Sequence, residues 1–475
     1  MRIVFLVLIS LIVAGCATYT SQTASLRASW KAGDVSVAEV KVKKATNDSN
    51  DSDMLIWLLE EGAIARANAD FISSKKSFKK AFEKICYYEN QPKVRLTEEA
   101  TSFFTNQSYT DYKGYNYDKI MLCIYQALNY IETKCFDEAA VELKRLQNFQ
   151  DSAKHYNLER IQEKSDALKS AQAKSSVNSV NALQSISAVE AQLKIIYGNA
   201  YKTDVSRQSE ALYVNPFGYW LGGLFFANYA QTRADIELSA SMFRNCSEIL
   251  GNKSSAIIED ITAIEAMANG KSQSMGNITY IIWETGVAPI KKQVRLDLPI
   301  FVVARNAPHI AVNFPYLQKQ SSFRSRLNVV AGNKNINFDT IADLDAIIQE
   351  EFDIELPYVI TRSILSAAAK STGEYFAARA AGDYGILVHA AMGLYQSLMN
   401  DADLRIWTTL PKQIKIARFA TPLNCKINIE GKIVDVDKQG VNVIYVKTMG
   451  GTGNIIIRKF DFKKKKTDIS KIKQN

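Results

Sequence analysis

Residues 53–85 read DMLIWLLEEGAIARANADFISSKKSFKKAFEKI, and this stretch decides the fold. Leu55, Leu58, Leu59, Gly62 and Ala65 fall at helical spacing. A second helix follows Asp70, with Ser74, Phe78 and Ala81 on its apolar face. Small, large and small side chains at these spacings let two helices approach closely. Gly62, twelve residues before Ser74, supplies the small position of the first helix.

The pattern is that of a tetratricopeptide-like helix pair, a unit that buries its faces only by stacking on neighbours. It returns in residues 120–149, with Ala127 and Tyr130, then Ala139, Leu143 and Leu146. A fainter copy surrounds Trp30, with Gly33-Asp34 as the turn and Ala38 in the small position. Ala38, Ser74 and Ala139 recur at intervals of 36 and 65 residues, near one and two repeat lengths. A plain helical bundle makes the same stripes. Stacked repeats would present a concave surface to a protein partner. Between the second and third copies, Phe103, Phe104, Tyr109, Tyr112, Tyr115 and Tyr117 crowd around Gly114. The four tyrosines are candidate partner-binding residues, the alternative being that they cover a groove between repeats.

Working outward, residues 151–210 read as a polar helical spacer and 211–275 as further helix. Asn215-Pro216 opens an apolar run, Tyr219–Tyr229, too short to span a membrane. From Asn277 the period changes to alternation: Ile278, Tyr280, Ile282, then Val294, Leu296, Leu298, Ile300. Residues 340–373 and 385–398 return to helical spacing, and strands close the chain at 427–429, 433–434, 441–446 and 455–457. The expected fold is mostly α with a mixed α+β C-terminal half: helical repeats over 24–150, then a β-containing domain over 276–460. Residues 461–475 read as a basic tail, with Lys463–Lys466 either solvated or touching anionic lipid or cell-wall polymer.

At the front, Arg2 precedes an apolar run from Ile3 to Val13, the length of a signal peptide. It ends Leu11-Ile12-Val13-Ala14-Gly15-Cys16, which resembles a bacterial lipobox. Cys16 is then the expected lipidation site, residues 1–15 the signal peptide and 16–23 a lipidated tether. Acyl chains contribute about 0.8 kcal/mol per buried CH₂, so a multiply acylated cysteine anchors a body without a spanning helix. Ala17 after the cysteine resembles outer-membrane sorting, giving a periplasm-facing body. Cys86, Cys123, Cys135, Cys246 and Cys425 remain, an odd number, with no zinc-type spacing. They read as buried small hydrophobes, a bridge from Cys86 to Cys123 or Cys135 being the sharper option.

The chain has 475 residues, 47% of them hydrophobic, which excludes wholesale disorder. Net charge is +9, of which the tail supplies +4, so the body is mildly basic and shows no stripe for nucleic acid. The three histidines at 155, 309 and 389 are scattered, and neither HExxH nor GxSxG occurs. Gly270-Lys271-Ser272 has Glu265 where a phosphate loop needs glycine, and Gly451-Thr452-Gly453 lacks the third glycine of a dinucleotide fingerprint. Glu350, Glu351, Asp353 and Glu355 cluster as paired carboxylates could, but read as a solvated helix end and loop. No metal, cofactor or catalytic residue is expected.

Six stretches carry a family resemblance: Tyr117-Asp118-Lys119-Ile120-Met121-Leu122, Ala127-Leu128-Asn129-Tyr130, Asn215-Pro216-Phe217, Gly286-Val287-Ala288-Pro289-Ile290-Lys291, Arg295-Leu296-Asp297-Leu298-Pro299 and Trp407-Thr408-Thr409-Leu410-Pro411. They resemble an uncharacterised family of bacterial lipoproteins with a tetratricopeptide-like N-terminal region. The resemblance implies a periplasmic lipoprotein associated with activators of peptidoglycan synthases, without an established activity. The expectation is therefore a non-enzymatic, lipid-anchored scaffold of the cell envelope that binds envelope proteins. The rivals are a glycan-binding module or hydrolase in the C-terminal half, and a structural part of a larger secretion or motility machine.

Overall fold

The computed structural model describes residues 19–91, 110–174, 191–198, 214–299, 309–380 and 402–462. Helices fill the N-terminal half and mixed sheets the C-terminal half. Helix α1 spans Tyr19–Gln22, and three helix pairs follow: α2 (Ala24–Ala32) with α3 (Val35–Asp48), α4 (Met54–Ala67) with α5 (Phe71–Asn90), and α6 (Asn116–Glu132) with α7 (Phe136–Lys174). Each pair turns on a residue in the left-handed region: Gly33, Ala69 and Lys134, with φ of 80°, 60° and 62°. The backbone bonding repeats too. The left-handed residue donates three residues back, and the next N–H donates five back, as Asp34 to Ser29, Asp70 to Ala65 and Cys135 to Tyr130. Five residues after each turn stands a fully buried small side chain, Ala38, Ser74 or Ala139. Gly62 is required by packing: a Cβ there would lie 2.6 Å from the Phe78 ring.

Helices α8 (Pro216–Tyr229), α9 (Arg233–Ile249) and α10 (Ser255–Ala268) continue the layer. Asn215 caps α8 by accepting from the Phe217 N–H at 3.1 Å, and Pro216 takes the first turn, where no N–H is needed. Gly222 and Gly223 of α8 lie against Met242 and Phe243 of α9.

The main sheet has the strand order β11-β10-β1-β7-β6, with β1 (Ile278–Thr285), β6 (Asp339–Asp343), β7 (Gln413–Ala420), β10 (Val441–Thr448) and β11 (Ile455–Asp461). β1 runs parallel to β10, and the other pairs are antiparallel. Every residue of β1 is buried, because the sheet is covered on both faces. Successive side chains point to opposite faces. Tyr280, Ile282, Val443 and Tyr445 join the helical core. Ile281, Trp283, Ile444 and Val446 pack on a second sheet, in which β5 (Lys334–Asn335), β4 (Val329–Ala331), β8 (Lys426–Ile429) and β9 (Lys432–Asp435) lie side by side. A hairpin of β2 (Ile290–Pro299) and β3 (His309–Gln318) packs on α11 (Leu344–Ala380).

Several expectations change. The segments 24–150, 211–275 and 276–460 share one apolar core running from Tyr19 to Phe462. Helix α7 crosses residue 150 without a break. Residues 339–343 are an edge strand rather than the start of a helix; five residues are too few for the alternation of Ile341 to stand out against the helical spacing that follows. No bridge joins Cys86 to Cys123 or Cys135: all five described cysteines are free thiols, Cys123 and Cys246 buried and the others half-buried. The expected concave groove is filled. Almost every residue of α4 and α6 is buried, because the main sheet covers their inner side while α3 and α5 form the outer row. Tyr19–Gln22 is helical and Tyr19 and Thr23 are already buried, so residues 19–23 belong to the folded body and not to the tether expected over 16–23. The Gly450–Gly453 loop lies against the end of α2, where a Cβ on Gly450 would come 2.4 Å from the Lys31 carbonyl. Residues 385–398, 463–466, Phe103, Phe104, Tyr109, Cys16 and His389 lie outside the described residues.

Candidate functional site

Three of the four candidate tyrosines meet where α6 begins, and the structure turns them inward. Tyr112 and Tyr117 are each 3% exposed, and Tyr115 is half-buried. Their rings form a ladder: Tyr115 stacks on Tyr117 at 5.3 Å, and Tyr112 meets Tyr115 edge-on at 6.0 Å. Tyr112 and Tyr117 therefore cannot serve as an open docking surface. An aromatic loop that covers apolar helix is buried by that helix.

What they surround is polar. Asp118, in the first turn of α6, is fully buried. Its Oδ2 accepts from the Tyr112 hydroxyl at 2.6 Å and from the Tyr115 N–H at 2.8 Å, and its Oδ1 has no hydrogen-bond partner. Lys291 on β2 donates to the Tyr115 hydroxyl at 2.6 Å, with its ammonium 4.4 Å from that ring. Glu351 of α11 accepts from the Asn116 N–H at 2.9 Å and the Tyr117 N–H at 3.3 Å, so a carboxylate from a distant helix caps α6. Burial pushes the Asp118 carboxyl up to about 7; hydrogen bonds from Tyr112 and the Tyr115 N–H and the charge of Lys291 oppose this, and Glu351 adds to it.

Arg405 closes one side. It clamps both Asp403 oxygens, at 2.9 and 2.8 Å, and donates to Asp53 at 2.9 Å and to the Thr110 carbonyl at 2.7 Å. Burial works against its charge, and Asp403 and Asp53 more than offset that. On the other side the Glu60 carboxylate, fully buried in α4, takes five donors: the Tyr19 hydroxyl at 3.0 Å, the Thr408 N–H and hydroxyl at 2.6 and 2.7 Å, and the Thr409 N–H and hydroxyl at 3.1 and 2.6 Å. Burial raises its pKa against these hydrogen bonds.

A second charged layer joins α4 and α6 to the sheet. Glu284 of β1 accepts from Lys447 at 2.6 Å and from Tyr125 at 3.0 Å. Arg66 pairs with Glu132 at 2.5 Å and lies 5.0 Å from the Tyr445 ring centre, and Arg458 approaches Glu132 from the other side at 2.8 Å. Asp260 of α10 holds Arg418 at 2.8 Å and accepts from Trp220 at 3.1 Å and from Tyr280; burial raises its pKa to about 6. These charges are spent on joining elements far apart in sequence.

Sequence reasoning missed Asp118, Lys291, Glu60 and Arg405, and noticed Glu351 only as one of a solvated carboxylate cluster. Two signals were present. Glu60 interrupts an apolar run, and Asp118, Lys291 and Thr408-Thr409 lie inside stretches already singled out for their resemblance. Glu351 and Glu355 are buried within α11 rather than solvated. Groups of three or more side chains able to hold a metal ion do not occur among the described residues. Comparison with family models, curated proteins and solved structures found no match for this chain.

Proposed function

We propose that this chain is a lipid-anchored scaffold of the bacterial cell envelope, acylated at Cys16 and facing the periplasm, that binds envelope proteins through tetratricopeptide-like helix pairs. The observation that carries the reading is the recurrence of one turn geometry at Gly33, Ala69 and Lys134, each followed five residues later by a fully buried small side chain. That recurrence is what a repeat array requires, and such arrays are interaction platforms. The likeness of the lipobox and of the six stretches to lipoproteins linked with peptidoglycan-synthase activators supports the setting.

With the inner row of helices covered by the sheet, the outer row is the working surface of this scaffold. Val40 on α3 and Ile72 on α5 are 71% and 80% exposed, apolar side chains that the fold itself does not use. The test is crosslinking in living cells, followed by capture through a C-terminal tag and mass spectrometry. Recovery of the same one or two envelope proteins, lost in Val40→Glu and Ile72→Glu variants that fold normally, is the expected result. Capture that both variants leave unchanged rejects the outer row as the partner surface. Cleavage of purified cell-wall material by the soluble body would reject the non-enzymatic reading altogether.

A further inference from the structure

The first described helices place three cations around the point where the chain enters the body. Arg27 donates to the Thr20 carbonyl and the Thr23 hydroxyl, Lys31 to the Gln320 side chain, and Lys41 to the Ser25 carbonyl and the Ser29 hydroxyl. Every one of these acceptors is neutral, and among the described residues none of the three cations forms a salt bridge. Elsewhere in the molecule the buried cations Arg66, Arg405 and Lys447 each have a carboxylate partner. Arg27 and Lys31 stand one turn apart on α2, and burial together with the charge of Arg27 lowers the pKa of Lys31. The exposed side chains of α2 are the small ones of Ala24, Ser25, Ala28 and Ala32, with the half-buried Arg27 and Lys31 between them.

The length of the leash fixes which surface that is. Cys16 stands three residues before Tyr19, whose side chain is buried against Trp57 and bonded to Glu60. Three residues reach at most about 10 Å, comparable to the Debye length at physiological salt. We infer that the edge of the body carrying α1 and α2 docks on the anionic lipid headgroups that surround the Cys16 anchor, with Arg27, Lys31 and Lys41 as its headgroup contacts. This rests on the lipidation reading above. It adds an orientation: a body on so short a leash cannot tumble freely, and the docked edge lies beside the membrane.

The experiment uses the full acylated chain in vesicles of phosphatidylglycerol and phosphatidylethanolamine, modified with a membrane-impermeant amine reagent and read by mass spectrometry. Lys31 and Lys41 should be protected several-fold relative to the same chain in detergent, while Lys79 on α5 and Lys432 on β9 react equally in both. Protection should fall with added salt and on pure phosphatidylcholine. A body begun at Ala17, with neither the apolar run 3–13 nor acyl groups, should bind anionic vesicles weakly, losing about fivefold in affinity for each of Arg27→Gln, Lys31→Gln and Lys41→Gln. Equal modification of Lys31 and Lys79 on a chain whose mass shows the acyl groups overturns the docked edge and leaves the anchor standing. A mature chain whose mass shows no acyl group overturns the anchor and, with it, this orientation.

Discussion

Replacing Asp118 by Asn should remove a pH dependence from the stability of the whole molecule. The carboxyl is fully buried, and its pKa rises from an ordinary 3.8 to about 7. A group whose folded pKa lies above its unfolded one stabilises fully below the unfolded value, and that contribution is lost as pH rises through the folded value. At about 1.4 kcal/mol per unit, the protonated carboxyl contributes about 3 kcal/mol at about pH 5 and almost nothing at about pH 8. Asn suits the site. Both donors, the Tyr112 hydroxyl and the Tyr115 N–H, use Oδ2, so the amide oxygen keeps them, and the amide nitrogen takes the place of Oδ1, where no donor points. Urea unfolding of both chains at about pH 5, 6, 7 and 8 separates this group from all others, because their titrations cancel in the difference. The wild type should lose about 3 kcal/mol relative to Asp118→Asn across that range. A difference that stays flat with pH would refute the reasoning, whatever its size.

Three further outcomes follow from the packing. Glu60→Ala strips the acceptor from two buried N–H groups and three hydroxyls, and should cost about 3–5 kcal/mol in urea unfolding; a loss under about 1 kcal/mol would show that the loop at 407–411 is held by something else. Gly62→Ala should lose about 1–3 kcal/mol by driving a methyl into the Phe78 ring, and Phe78→Leu should recover part of it in a double-mutant cycle; additive losses would contradict the contact. A thiol reagent should leave Cys123 and Cys246 unmodified in the native state and, after denaturation, titrate five thiols in a chain acylated at Cys16. Six thiols would contradict acylation, and three would reveal a disulfide.

The legible part of the fold was the part that rests on local periodicity. The small positions at Ala38, Ser74 and Ala139 are where the spacing put them, and the alternation at 278–282 and 441–446 marks two adjacent strands of the main sheet. What could not be read was non-local. That α4 and α6 are sandwiched follows from the sheet closing over them, although the almost unbroken apolar run Leu55–Leu59 carried the hint of a helix buried all round. The tyrosines around Gly114 were found, but their direction was not, because an aromatic cluster reads the same whether it faces solvent or a buried aspartate. Glu351 was invisible as a cap because its partners lie more than two hundred residues away.

The central pairing of the sheet has a consequence for how the protein is made. β1 and β10 lie side by side although the ion pair between them, Glu284 to Lys447, joins residues 163 apart in sequence. A ribosome delivering the chain from its N-terminus leaves one edge of β1 bare until residues 441–448 appear, and contacts of such long range form slowly. An unpaired, largely apolar strand edge is a template for aggregation. A chain broken off before Val441 would thus be left prone to aggregate, while one that reaches Asp461 caps the sheet with β11. The sheet's central strand is thus completed only by the last strands of the chain to be made.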